Sequence, residues 1–172
     1  MKKVWNSIRD YVFIVLAVLV IRTYFVTPAI VDGDSMNDTL LDGQIVILNK
    51  ITYRFNEINR FDIVVVKNDE DNDKIIKRVI GLPNEQIRYT DNKLYINEKL
   101  IEINLSFKDT KDFEYVTKDG EYFVLGDNRT VSKDSRILGN FKKKDIIGKV
   151  STRIYPLDRI GSIKWIFIIS RL

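Results

Sequence analysis

Ser35 lies in VDGDSMNDTL, residues 31–40, a polar turn that directly follows a long apolar run. A serine in such a turn is a candidate nucleophile if a base lies within reach of its hydroxyl. The chain has no histidine and no cysteine, so the Ser-His-Asp arrangement is excluded and the remaining bases are carboxylate, tyrosine and lysine. One lysine stands out in IIKRVIGLP, residues 75–83. Residues alternate between the faces of a strand, so Ile75, Lys77 and Val79 share one face and Ile76, Arg78 and Ile80 the other. An amine between two β-branched neighbours loses hydration, which disfavours its ammonium form. A neutral Lys77 can deprotonate a serine. The competing reading is an edge strand whose Lys77 and Arg78 face water, and on this motif alone it is the stronger. A third segment, GDNRTVSKDSR at 126–136, is dense in turn formers and charge. By itself it reads equally well as a loop of Asx turns and surface ion pairs.

These residues must be carried by a single domain of ordinary size, since 172 residues suffice for one real core. Apolar residues make up 45% and charged residues 30%, and the net charge of +4 is spread among interleaved acids. That pattern predicts a mixed solvated surface and no nucleic-acid partner. The missing cysteine and histidine also remove thiolate and the usual zinc sites, so no metal and no cofactor is expected.

Residues 11–21, YVFIVLAVLVI, are almost wholly apolar, and TYFVTPAIV continues the run after Arg22. A span needs about 20 apolar residues, and Arg22 near one end can snorkel to the headgroups. Lys2, Lys3 and Arg9 precede the run, which places residues 1–10 in the cytoplasm, an anchor at 11–29, and residues 30–172 outside. A cleaved leader fits less well, because TPA at 27–29 is the nearest approach to a small-x-small site. A buried core helix is the other alternative.

Beyond the anchor, short runs rich in Val, Ile, Tyr and Phe alternate with turn formers and predict strands near 44–50, 61–67, 74–80, 121–127 and 146–155. Residues 86–103 read as three strands joined by an Asp-Asn and an Asn-Glu turn. The fold expected is mainly β, with antiparallel coiled or barrel-like sheets, one N-terminal transmembrane helix, and a small inserted β sub-domain around 85–120. The acidic run at 67–74 lacks the glycine and distal glutamate of a calcium loop and reads as a solvated hairpin. The apolar tail, 163–172, is too short to span and suits a last strand or a lipid-touching surface.

Taken in order behind an anchor, GDSMNDTL, RFDIVVVK, KRVIGLP and GDNRTVSKDSR resemble the motifs of bacterial type I signal peptidases. YPLDRIG at 155–161 and the arginine within the anchor look like Gram-positive members. The resemblance implies a membrane-bound serine endopeptidase with a Ser/Lys dyad, Ser35 as nucleophile and Lys77 as general base. It implies that Ser132 orients the lysine amine, that Asp134 and Arg136 form an ion pair shaping the site, and that Asp127 pairs with Arg78. The Ser35 N–H would serve as oxyanion donor. Some relatives add a serine hydroxyl where Gly33 stands. The implied partners are the lipid bilayer and secreted preproteins, with Ile30, Met36 and Val79 as candidate linings for the small side chains before the cut.

The sequence departs from the family pattern at Asp38, usually proline, and at Asn84, usually glycine. These departures suggest a specialised member serving few substrates, such as pilins. If Asp38 merely replaces a rigid turn residue, Asp38→Pro should be harmless or slightly stabilising. Two rivals remain. One is a non-catalytic pilus assembly factor on the same fold, which retention of Ser35 and Lys77 argues against. The other is a self-cleaving repressor of the LexA type, for which no DNA-binding domain is visible.

Overall fold

The computed structural model describes residues 2–68, 73–102 and 110–163. The centre of the 67–74 acidic run and the tail from 164 onward lie outside these residues. The chain starts with helix α1, Lys2–Tyr24. Its described side chains are exposed almost without interruption from Ile8 to Tyr24. Thr27 Oγ1 donates 2.8 Å to the Arg22 carbonyl, and Lys50 Nζ reaches the Thr23 carbonyl at 3.2 Å. A cation there complements the negative end of the helix dipole. Among the described residues no helix is long and apolar enough to cross a membrane. The expected 11–29 anchor also ends early. Val26–Ile30 form strand β1, paired antiparallel with β2, Ile45–Asn49. β-branched Val26, Thr27 and Ile30 suit a strand, and Pro28 is tolerated because β1 is an edge.

The remainder is mainly β and wholly antiparallel in its pairings. β3 (Ile63–Lys67), β4 (Lys74–Gly81), β9 (Glu121–Leu125), β10 (Phe141–Lys142), β11 (Ile146–Tyr155) and β12 (Gly161–Ser162) complete the large sheet. Its order is β1-β2-β11-β3-β4-β9-β10, with β12 on β11. A second sheet, in the order β7-β6-β5-β8, holds β5 (Gln86–Thr90), β6 (Lys93–Ile96), β7 (Lys99–Ile101) and β8 (Phe113–Val116). Both two-residue turns foreseen in this meander have positive φ at each central residue, Asp91-Asn92 and Asn97-Glu98. Primed turns match the twist of paired strands.

β3 shows how the core is arranged. Its Ile63 and Val65 pack into one cluster with Val31, Met36 and Leu40. Its Val64 and Val66 pack into another with Val79, Val124 and Phe141. A strand buried on both faces reads as a continuous apolar run, which is why IVVV shows no polar alternation. A third cluster joins Phe61, Phe123 and Leu125 to Ile87 and Tyr89, seating the small sheet on the large one.

Asp38 has φ +82° and Asn84 φ +62°. Asn and Asp tolerate this region better than other non-glycine residues, which accounts for Asn84 where relatives use glycine. It also overturns the expectation for Asp38. Proline fixes φ near −65°, so the local turn must rearrange to accept it. Asp38→Pro is expected to cost more than about 1 kcal/mol, and Asp38→Gly to stay within about 0.5 kcal/mol of the parent. Equilibrium urea unfolding of the two variants checks this ordering.

Candidate active site

The site forms where β4, the turn after β1 and the loop after β9 converge. Lys77 is set by its strand position, with Val64 opposite it on β3 and Ile75 and Val79 on the adjoining cluster. It is 3% exposed, and its Nζ lies 2.7 Å from Ser35 Oγ and donates 3.0 Å to the Ile76 carbonyl. Burial pulls its pKa down from 10.5 to about 8, against the opposing pull of the Asp134 and Asp127 charges. The folded-state value is depressed, so between about 8 and 10.5 the unfolded chain holds this proton and the folded chain does not. Stability contributed here therefore rises with pH across that window.

Ser35 sits in a turn in which Asn37 N–H donates to the Asp34 carbonyl and Leu40 N–H to the Met36 carbonyl. The Ser35 carbonyl accepts from Asn128 N–H at 3.0 Å, so the turn is tied to the loop at 126–136. Among the described residues, the Ser35 N–H has no backbone acceptor. Gly33, at φ +85°, donates its N–H to Asp42 Oδ1 at 2.8 Å and is thereby engaged.

The loop at 126–136 is fastened by charge. Arg136 forks onto Asp134, Nε to Oδ1 at 2.8 Å and Nη2 to Oδ2 at 2.9 Å, and also holds the Arg129 carbonyl. Asp134 Oδ2 accepts the Gly126 N–H, and Arg129 Nε donates 2.6 Å to the Gly126 carbonyl. Gly126 is required by close approach, because a Cβ there would overlap Ser132 Oγ and crowd the Ser35 carbonyl. Behind it, Arg78 makes a bidentate pair with Asp127 at 2.8 and 2.6 Å, both side chains 2% exposed. Alternation correctly separates Arg78 from Lys77.

Ser132 lies beside Gly126 and the Ser35 carbonyl, but its buried hydroxyl oxygen has no hydrogen-bond partner among the described residues. The expected bond to Lys77 is absent, and the Ile76 carbonyl holds the amine instead. The three candidate pocket residues do not group as one open surface. Ile30 is 69% exposed, whereas Met36 and Val79 are closed into separate core clusters at 1% and 0%. Val79 is thus a packing residue, not an accessible lining.

Two participants escaped the sequence reading. Thr39 Oγ1 donates 2.6 Å to Asp127 Oδ2 and accepts from Arg78 Nη2 at 3.1 Å, fastening the serine turn to the buried ion pair. Arg129 is 5% exposed, and burial lowers its pKa to about 9. Nothing in their local sequence distinguishes either from an ordinary turn residue.

Two sheet edges also meet this site. Among the described residues β1 pairs on one side alone, and β9 pairs with β4 from Arg78 onward, leaving the stretch Lys74–Lys77 open on that side. Ala29 and Ile76, one from each edge, pack on the same core cluster.

Comparison with known proteins places the chain in a family. The family model "Signal peptidase, peptidase S26" matches residues 4–155. The chain is 35% identical over 206 residues to signal peptidase I of Streptococcus pneumoniae, covering 91% of this chain and 99% of that protein. It is 39% identical over 168 residues to signal peptidase I V of Bacillus subtilis, covering 88% and 98%. A crystal structure of a signal peptidase I from Enterococcus faecalis superposes with a TM-score of 0.49 at 34% identity, covering 55% of this chain and 97% of that one.

Proposed function

The chain belongs to the peptidase S26 family and is a type I signal peptidase, a hydrolase that removes signal peptides, and we propose that it does so with Ser35 as nucleophile and Lys77 as base. The observation that carries this reading is the 2.7 Å contact between Lys77 Nζ and Ser35 Oγ, made by a buried lysine. With the amine charged, Nζ donates. Once it is neutral the bond reverses, and the Ser35 O–H donates to the nitrogen lone pair.

Ser35 Oγ attacks the scissile carbonyl carbon while its proton passes to Lys77 Nζ. The Ser35 N–H, with no backbone acceptor of its own, stabilises the developing oxyanion. The C–N bond then breaks as Lys77 returns the proton to the leaving amine, giving an ester on Ser35. Lys77 next takes a proton from water, which attacks the ester carbonyl; the C–Oγ bond breaks, the signal peptide carboxylate leaves, and Lys77 returns the proton to Ser35 Oγ. A role for Ser132 in steadying the amine is supported by its buried, unused hydroxyl beside the Ser35 carbonyl. No metal or cofactor enters the scheme.

The cleavage segment adds as an extended strand between the open edges of β1 and β4, where backbone N–H and C=O groups await partners. Helix α1 attaches the enzyme to the membrane. The exposed run from Tyr11 to Ile21 offers lipid a continuous apolar surface, with Arg22 snorkelling at one end. The positive residues before this run set the catalytic domain outside the cell. Protease added to intact spheroplasts should therefore digest the domain, and protection until lysis would reverse the orientation.

The reaction is tested by incubating the full chain with a panel of preproteins, pilins included, and sequencing the product N-termini. Cleavage after small residues supports the reading. Cleavage of pilins alone marks a specialised enzyme. Absence of any cleavage favours the non-catalytic assembly factor.

A further inference from the structure

Next to the serine turn lies a polar cavity of about 490 Å³ whose lining includes Asp38, Leu41, Gln44, Arg153 and Arg159. The signal peptide chemistry described above uses none of these residues. Arg153 is oriented from two sides, its Nε donating 2.9 Å to the Arg159 carbonyl and its Nη1 donating 3.3 Å to Gln44 Oε1. Gln44 is itself 4% exposed. Yet among the described residues no carboxylate lies within ion-pairing distance of Arg153, and Arg159 has just its neighbour Asp158 at 3.9 Å. The carboxylate lining the cavity, Asp38, pairs with neither. A guanidinium fixed by a buried amide and left without an anion is a preformed carboxylate receptor.

The position of the cavity indicates which carboxylate. β1 leads from α1 toward Ser35, and the cavity lies past the end of that path, where the start of β2 meets the end of β11. A preprotein whose apolar segment shares the bilayer with α1 leaves the membrane beside β1 and runs in the same direction. Its residues before the cut then lie along β1, and those after the cut arrive at Arg153 and Arg159. We propose that this cavity is a subsite for an acidic side chain in the first few residues of the mature protein, read by Arg153 and Arg159. The proposal rests on the peptidase reading and adds a preference on the far side of the scissile bond.

The test uses peptides spanning one cleavage site, with Glu, Gln or Lys at each of the first three positions after the cut. At low salt the full chain should cleave the best-placed Glu peptide about fivefold faster in kcat/KM than its Gln counterpart, the scale of a solvent-accessible ion pair. That ratio should shrink as salt is added. In Arg153→Gln/Arg159→Gln it should fall to about one. Binding of the same peptides to Ser35→Ala, read by fluorescence anisotropy, should show the same Glu preference. Equal rates for Glu and Gln at every position, or a ratio that survives in the double variant, overturns the subsite. Should no peptide be cleaved, the peptidase reading fails, and the Ser35→Ala binding ratio still decides the subsite. Loss of binding to phosphatidylglycerol vesicles in the double variant, with no peptide preference, would assign the cavity to a lipid headgroup and overturn the proposal.

Discussion

Ser35→Ala and Lys77→Ala are each expected to lower preprotein cleavage by at least about 1000-fold, the scale on which a nucleophile and its base act. The double variant should be no worse than either single one, because the two residues move one proton between them. Ser35→Ala removes one hydroxyl and Lys77→Ala leaves the backbone pairing of β3 and β4 in place, so far-UV circular dichroism should match the parent. A discontinuous assay of preprotein processing, run on purified full-length chains in detergent, measures all three. Additive losses in the double variant would mean that Ser35 and Lys77 act in separate steps.

The second large effect concerns stability. Asp127→Ala leaves Arg78 at 2% exposure with its charge unopposed and Thr39 without its acceptor. Breaking a buried pair in this one-sided way costs about 3–5 kcal/mol. Thr39→Val should cost less, about 1–3 kcal/mol, since it orphans one hydrogen bond at each partner, and Thr39→Ser should recover most of it. Urea unfolding of the detergent-solubilised chain follows the series. Replacing both members, as Arg78→Met with Asp127→Leu, should restore part of the loss, because removing both charges also removes the desolvation penalty. A double variant as unstable as Asp127→Ala would show that the hydrogen bonds from Arg78 to Phe61 and Thr39 matter more than the charge.

The elements legible in the sequence were those whose residues advertise a pleated, half-buried surface. β2, β3, β4 and β11 each carry several β-branched residues between turn formers, and β9 carries Tyr122, Phe123 and Val124. The 86–101 meander carries its own turn residues, and Asp91-Asn92 and Asn97-Glu98 adopt the conformations those residues tolerate. β1 was hidden because VTPAI continues an apolar run without a break in hydropathy. What turns it from helix to strand is pairing with β2, a tertiary cause no local window contains. Asp38 misled for a similar reason. Where proline is usual, a fixed negative φ is the natural inference, but this turn carries φ +82°.

At the site, Ser35 and Lys77 were each ambiguous in isolation and gained meaning from their order along the chain. Their contact spans 42 residues and depends on the large sheet bringing β4 to the turn after β1. Arg78 and Asp127 were legible as partners by resemblance, and strand alternation kept Arg78 off the Lys77 face. Thr39 and Arg129 were not, because their roles come from what folds against them. Ser132 shows the limit from the other side. Its place beside the serine turn was anticipated, but its hydroxyl does not hold Lys77 in this structure.

The central claim is that Lys77 is a neutral base at working pH, and the dependence of kcat/KM on pH tests it most directly. In the free enzyme this parameter reports the ionisation of the essential base. Activity should rise along a limb of unit slope centred near pH 8, where burial places the Lys77 amine, and level off above it. A limb centred near the ordinary lysine value of about 10.4 would show that burial does not free the amine. A rate independent of pH from about 6 to 10 would show that some group other than Lys77 takes the proton from Ser35.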